Sequence, residues 1–300
     1  MIIVKFQGGL GNQMFQYALG RALGLRTGDD VLFDNSWFAD VPAHETVRAF
    51  ALDIFALQIR FANKKDIPLE QRNALLRRLP FWRALCGRPA WVVLFDNSPA
   101  VQKRILEWRA GQNVFLQGFW QSEKYFKDAE EVVRNDFSFR ALPDEANQGI
   151  LDKMAVDLKG GIEAVCVHVR RGDYSSDPKT HAHHGLLPPE YYQSAMSVIE
   201  KRSPRVCYYV FSDDLPWCRD NLRFKSEAVF VDVNAGEAAW MDMRLMTRCR
   251  HHIIANSSFS WWGAWLNASP DKIVVAPQKW LSDARWVNAD MCPGDWVKVS

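Results

Sequence analysis

The stretch AVCVHVRRGDY, residues 164–174, decides how this chain is read. Ala164 to Val169 form a short β-branched run, the pattern of a strand buried on both faces, and Gly172 stops it behind two adjacent arginines. Arginines at the carboxyl end of a parallel strand stand where open α/β sheets bind ligands, and a guanidinium there commonly faces an anion. The alternative is a ligand-free loop in which Asp173 neutralises its neighbours.

Outward from that strand, the same alternation continues. ILDKMAVDL precedes it as a helix, PPEYYQSAMSVIEKR follows as a helix opened by proline, and CYYVFSDD returns as a strand ending in two carboxylates. AVFVDV reads as strand, GEAAWMDMRLMTRC as helix, HHIIANSS as strand, SWWGAWLN as helix and KIVVAP as strand. Strand alternating with helix predicts a doubly wound parallel sheet over residues 150–300, with sites at successive strand ends. Those ends carry His168, Arg170 and Arg171, then Ser212, Asp213 and Asp214, then Asn256, Ser257, Ser258 and Ser260. The serines precede WWGAWL, so their hydroxyls and the unpaired N–H groups of a helix start suit a phosphate. An aspartate accepts two donors from a guanine edge, and a histidine donates to a carbonyl oxygen. Together the cluster fits a guanine nucleoside diphosphate; singly, each feature is also a core histidine, an Asx turn or a serine N-cap.

Residues 1–149 open with IIVKFQGGLGNQMFQYALGRALGLRTGDDVLFDN, a βαβ pattern whose glycine turn leaves N–H groups near Asn12 and Gln13. Met14 stands where a dinucleotide fingerprint needs its third glycine and no acidic residue stands at a convincing ribose position, so a Rossmann oxidoreductase is disfavoured; nor does a Gly-Lys-Ser or Gly-Lys-Thr make the turn a P-loop. WVVLF and VFLQ read as further strands. After the second, Trp120, Gln121 and Glu123 combine a stacking surface with hydrogen-bonding tips, the mixture a sugar site uses, although helix capping and packing produce it as well. RNALLRR is a solvated basic face or a contact for a membrane or acidic lipid carrier.

Length and charge bound the partners. A chain of 300 residues divides into two domains of ordinary size. With 37 basic and 35 acidic residues, net +2, there is no broad field for nucleic acid, so the anion is small and locally recognised. No stretch is apolar enough to span a bilayer, and MIIVKFQGG reads as a strand rather than a signal peptide, which points to the cytoplasm. The six cysteines are scattered, without a CxxC pair, and HAHHG (His181, His183, His184) reads as a loop rather than a metal site. Part of the complement of 13 tryptophans suits the C–H faces of sugars.

GGLGNQMFQYALGRAL, HVRRGDY, FSDD and IIANSSFSWWGAWL resemble the signature segments of the bacterial α-1,2-fucosyltransferases, glycosyltransferase family 11, from Ile3 to Trp280. The resemblance implies a GT-B-like α/β fold, two Rossmann-like domains facing across a cleft. It implies an acceptor-side domain at residues 1–149 and a GDP-fucose-binding domain at 150–300. It further implies transfer of L-fucose from GDP-β-L-fucose to the 2-hydroxyl of a galactose-terminated glycan, such as a lipopolysaccharide O-antigen, with inversion and without a metal or other cofactor. Carried onto this sequence, Arg170 holds the β-phosphate, Arg171 supports it or the loop, His168 contacts the base, Asp213 binds guanine, and Asn256, Ser257, Ser258, Phe259 and Ser260 surround the diphosphate. Asn12 reaches toward donor or acceptor, with Gln13, Trp120, Gln121 and Glu123 on the acceptor side. Asp173 is the candidate base, or else the residue that fixes the arginines. The rivals are a fucosyltransferase of another linkage and an inactive GDP-sugar or glycan-binding protein.

Overall fold

The computed structural model describes residues 1–41, 46–72, 91–96, 98–140, 145–172, 185–282 and 290–300. Asp173, the His181–His184 loop and all of the RNALLRR run but Arg72 lie outside them.

Two compact units, Met1–Arg140 and Ala141–Ser300, divide the chain. The first is built on β1 (Ile2–Lys5), β2 (Val31–Asp34), β3 (Trp91–Phe95) and β4 (Asn113–Gln117), all parallel in the order β2-β1-β4-β3. Helix Leu10–Thr27 crosses from β1 to β2 and stops at Gly28, whose left-handed φ of 72° lets its N–H close on the Gly24 carbonyl. The expected βαβ opening is therefore present. Gly20 lies against Phe33, where an added Cβ would come within 3.0 Å of the ring. Phe33 stacks in turn on Phe6, ring centroids 4.7 Å apart.

The second unit contains β5 (Glu163–Val169), β6 (Val206–Ser212), β7 (Ala228–Phe230), β8 (His251–Ile253), β9 (Val274–Pro277) and β10 (Val297–Val299). Every neighbouring pair is parallel, in the order β10-β9-β8-β5-β6-β7. Val165, Val167 and Val169 of β5 pack in one buried cluster with Tyr191, Tyr192 and Ile199. Ala164 and Cys166 pack in another with Tyr209, Leu245 and Met246. A two-residue period that is apolar in both phases is what a sheet covered by helices on both faces requires. The predicted strands and helices of this unit stand with shifted ends: the helix read at 150–158 runs Glu145–Lys159, while the strands read at AVFVDV and HHIIANSS are three residues each. Two elements lacked a clear signal: strand β10, which is three residues long, and helix Leu215–Asn221, opened by the Asp214 carboxylate accepting from Trp217 N–H.

The chain lays β5 at the centre, winds outward through β6 to β7, then returns to β8 on the other side of β5. That reversal is the Rossmann order, and it opens a crevice between the carboxyl ends of β5 and β8. In the first unit the chain crosses from β2 to the far edge at β3 and steps inward to β4, which pairs with β1. No helix among the described residues is long and apolar enough to cross a membrane.

Candidate active site

At the carboxyl edge of the second sheet, His168 sits within β5 and is 6% exposed. Its ring lies 5.9 Å from that of Phe259, which ties β5 to the start of helix Ser258–Leu266. Burial pushes the His168 pKa down to about 4, so the ring is neutral near pH 7. Its Nδ1 has no hydrogen-bond partner among the described residues.

Just beyond β5, the two arginines divide their work. Arg170 Nη1 donates to Asp213 Oδ2 at 2.8 Å, with both side chains about a quarter exposed. Arg171 is held from three sides. Its backbone N–H donates to Asp213 Oδ1 at 2.8 Å, its Nε donates to Asp214 Oδ2 at 3.2 Å, and its guanidinium lies 4.1 Å from the Trp217 ring centroid. Asp213 is therefore the brace of the arginine turn, one oxygen on each arginine, where the sequence suggested an open acceptor for guanine. The brace also explains Gly172, since a Cβ there would fall 2.6 Å from Asp213 Oδ2. Held this way, Arg171 braces the turn, and Arg170, with its partly exposed guanidinium, is suited to an anion.

Ser257 caps helix Ser258–Leu266, its hydroxyl accepting from Phe259 N–H at 3.3 Å. The first turn of any such helix presents N–H groups to an anion. Asn256 is buried and donates through Nδ2 to the Trp280 carbonyl at 3.2 Å. Ser260 departs from expectation. It is 1% exposed, and its hydroxyl points back to the Ala255 and Ser257 carbonyls, so it ties the turn instead of facing outward. Trp261, Trp262 and Trp265 of the same helix pack on one another, and Trp261 also packs on Trp296. These tryptophans form a core rather than sugar platforms.

In the first unit, the parallel pairing of β1 with β4 brings the glycine turn against the loop after β4. Gln121 Nε2 donates to Asn12 Oδ1 at 2.6 Å, so these two expected site residues meet. Gln13 does not join them. It is fully buried, its Nε2 donating to the Gly8 and Ala49 carbonyls and its Oε1 accepting from Ala51 N–H, each at 2.9 Å. Gln16 behaves alike, spanning Gln7 and Gly118. These glutamines staple the turn to its surroundings, a role that GNQMFQ does not disclose. Trp120 also departs from expectation, because its indole is 0% exposed, with its ring edge-on to Tyr125. Glu123 pairs with Lys127 at 3.3 Å, as an ordinary helix-start carboxylate does.

The cause of Trp120's burial is a turn that sequence pattern does not reveal. Among the described residues it is the one non-glycine with positive φ, 54°. For a bulky side chain that conformation costs roughly 1–2 kcal/mol. Asp96, whose carboxyl burial pushes upward in pKa, holds it by accepting Trp120 N–H at 2.7 Å. Gly118, φ 154°, lets the chain pass Asp96 where a Cβ would overlap it. Elsewhere in this unit, a cavity of about 540 Å³ lies at the start of β2, away from the glycine turn. Two of its arginines are already paired there, Arg21 with Asp136 and Arg60 with Asp30.

Among the described residues no group of three His, Cys, Asp or Glu side chains is placed to hold a metal ion. Cys166, Cys207, Cys218, Cys249 and Cys292 are free thiols, all buried.

Two parallel α/β units in one chain, the second with a cationic turn and a helix start at its strand reversal, suit a ligand that carries phosphate, as a nucleotide does. The chain belongs to glycosyltransferase family 11: residues 95–300 match the model of that family. It is 32% identical over 305 residues to an Escherichia coli alpha-1,2-colitosyltransferase, covering 100% of this chain and 99% of that one. It is 32% identical to the Escherichia coli O-antigen biosynthesis glycosyltransferase WbnK, covering 92% and 93%. A galactoside alpha-(1,2)-fucosyltransferase 1 from Saimiri boliviensis boliviensis is 29% identical over 164 residues, 54% of this chain and 44% of that one. In fold, the chain is similar to an Arabidopsis thaliana FUT1 variant solved with GDP, with a TM-score of 0.52 and 12% identity over 97% of this chain and 74% of that one. The protein is a glycosyltransferase of the α-1,2-fucosyltransferase type.

Proposed function

We propose that this enzyme moves L-fucose from GDP-β-L-fucose to the 2-hydroxyl of a terminal galactose, inverting the anomeric centre. The observation that carries this reading is the Arg170–Asp213 turn beside the start of helix Ser258–Leu266. The second unit binds the donor and the first binds the acceptor. As the acceptor oxygen attacks C1, the bond from C1 to the β-phosphate oxygen breaks and negative charge gathers on the departing diphosphate. Arg170 and the helix-start N–H groups stabilise that charge, a contribution of about 3 kcal/mol for one such donor. Asp213 and Arg171 keep Arg170 aimed. His168, neutral and buried, lines the donor side. The hydroxyl proton leaves to a carboxylate, for which Asp173 is the candidate.

With an arginine and N–H groups to meet the diphosphate, the reaction proceeds without a metal, and activity survives chelator. The workplace is the cytoplasm, where nucleotide sugars are made, with peripheral membrane contact when a galactose-ended O-antigen acceptor is lipid-linked. A second donor has specific support. The full-length relative named for colitose transfer favours the 3-deoxy analogue of fucose. The experiment offers GDP-fucose and GDP-colitose in turn, with lactose-type acceptors and EDTA present, and reads GDP release and product linkage by NMR. An α-1,2 fucoside supports the reading. Exclusive use of GDP-colitose would replace the donor, another linkage or an absolute need for divalent metal would replace the mechanism, and donor binding without turnover would leave a binding protein.

A further inference from the structure

The acceptor side of the proposed reaction has hydrogen-bonding groups in Asn12 and Gln121, and with Trp120 buried the apolar face of a sugar needs another surface. Phe119 supplies one. It is 41% exposed, although it follows a strand whose three central residues, Val114, Phe115 and Leu116, are buried. Its ring edge lies over the glycine turn. A Cβ added at Gly8, φ 77°, would sit 3.3 Å from Phe119 Cε1 and 2.7 Å from Asn12 Nδ2.

We infer that Phe119 is the platform on which the C–H face of the acceptor galactose stacks, beside the Asn12–Gln121 amide pair; this rests on the functional reading above. The turn makes the assignment more than a note of one exposed aromatic, since scattered surface hydrophobics need no explanation. Gly118 and Trp120 take backbone conformations that break the alternation of β4, so three successive side chains fan apart. Trp120 goes into the core, Gln121 reaches Asn12 at 2.6 Å, and Phe119 is left outside at the carboxyl ends of β1 and β4. Asp96 locks this arrangement through Trp120 N–H at 2.7 Å. A strained, braced backbone that holds an apolar ring in water, next to a pair of amides, is preorganised for a ligand with one C–H face and a rim of hydroxyls. Galactopyranose has that form: its axial 4-hydroxyl leaves the H3, H4 and H5 face bare. Phe119 is a specificity residue here, and Asp96 a positioning residue.

The test compares wild type, Phe119→Ala and Phe119→Trp in initial rates against acceptor at saturating GDP-fucose, together with GDP affinity. Saturation-transfer NMR of methyl β-galactoside gives a readout that needs no turnover. Phe119→Ala is expected to raise acceptor KM about tenfold while kcat and GDP affinity stay within about twofold, and Phe119→Trp to retain binding. Saturation transfer to H3, H4 and H5 should be strong for wild type and absent for Phe119→Ala. An unchanged acceptor KM and an unchanged transfer pattern in Phe119→Ala, with an active wild type, would overturn this inference alone. A wild type that transfers to no galactoside and shows no saturation transfer would overturn the functional reading and this inference together.

Discussion

Removing Arg170 separates its work on the diphosphate from its contribution to the fold. The Arg170–Asp213 pair, at 2.8 Å, has side chains 26% and 25% exposed, so solvent screens it. A pair of that kind contributes about 1 kcal/mol or less, and Arg170→Ala is expected to move Tm by only a few degrees. Catalysis responds differently. Losing one preorganised donor to a leaving anion costs about 3 kcal/mol, roughly a 150-fold fall in kcat. The variant also leaves the Asp213 carboxylate uncompensated beside the diphosphate, which deepens the loss. Adding Asp213→Asn removes that charge and keeps an oxygen for Arg171 N–H, so the double variant should recover about tenfold over Arg170→Ala. Asp213→Asn alone, which loosens Arg170 but keeps its charge, should lose about tenfold. GDP release at saturating donor and acceptor gives kcat for all four proteins, and thermal melts show that each is folded. The reasoning fails if Arg170→Ala stays within about threefold of wild type, or if the double variant loses the product of the two single losses.

Two further expectations follow from the burial of polar groups. Gln13→Ala strands the Gly8 and Ala49 carbonyls and Ala51 N–H, and should cost about 3 kcal/mol in urea unfolding while the folded enzyme keeps its acceptor KM. A raised KM at unchanged stability would instead return Gln13 to the acceptor site. His168 has its folded pKa depressed to about 4, so the unfolded chain binds the proton first as pH falls. Its stabilising contribution is therefore complete above the ordinary histidine pKa near 6.5 and is lost progressively as pH drops toward 4, about 2 kcal/mol between pH 7.5 and 5. His168→Gln should flatten the urea-unfolding profile over that window by this amount; an unchanged profile would contradict a neutral, buried His168.

Legibility in the sequence followed the physics of each feature. Runs such as Val165 to Val169 and Val206 to Phe211 announce themselves because a strand buried on both faces is apolar at every position. The strand-helix alternation was equally plain, and with it the edge on which His168, Arg170 and Ser257 would gather. The order of strands was not written in any local pattern, since it depends on which side of β5 the chain returns to. Side-chain commitments were hidden for a related reason. Asp213 looks like a free carboxylate until the β5–β6 register sets its oxygens against both arginines, and Ser260 looks like a free hydroxyl until the helix turns it onto its own carbonyls. Trp120 and Phe119 exchange roles because one residue takes a left-handed backbone, which composition favours in glycine and does not announce in tryptophan. Strand β10, three residues at a sheet edge, is too short for a period to register.

The central claim is that the arginine turn and helix start in the second unit form a guanosine diphosphate site. Isothermal titration of the protein with GDP, repeated with Arg170→Ala, tests it most directly. The account predicts saturable one-to-one binding that is clearly weakened in the variant; absence of GDP binding by the wild type, or equal affinity in the two proteins, would contradict it.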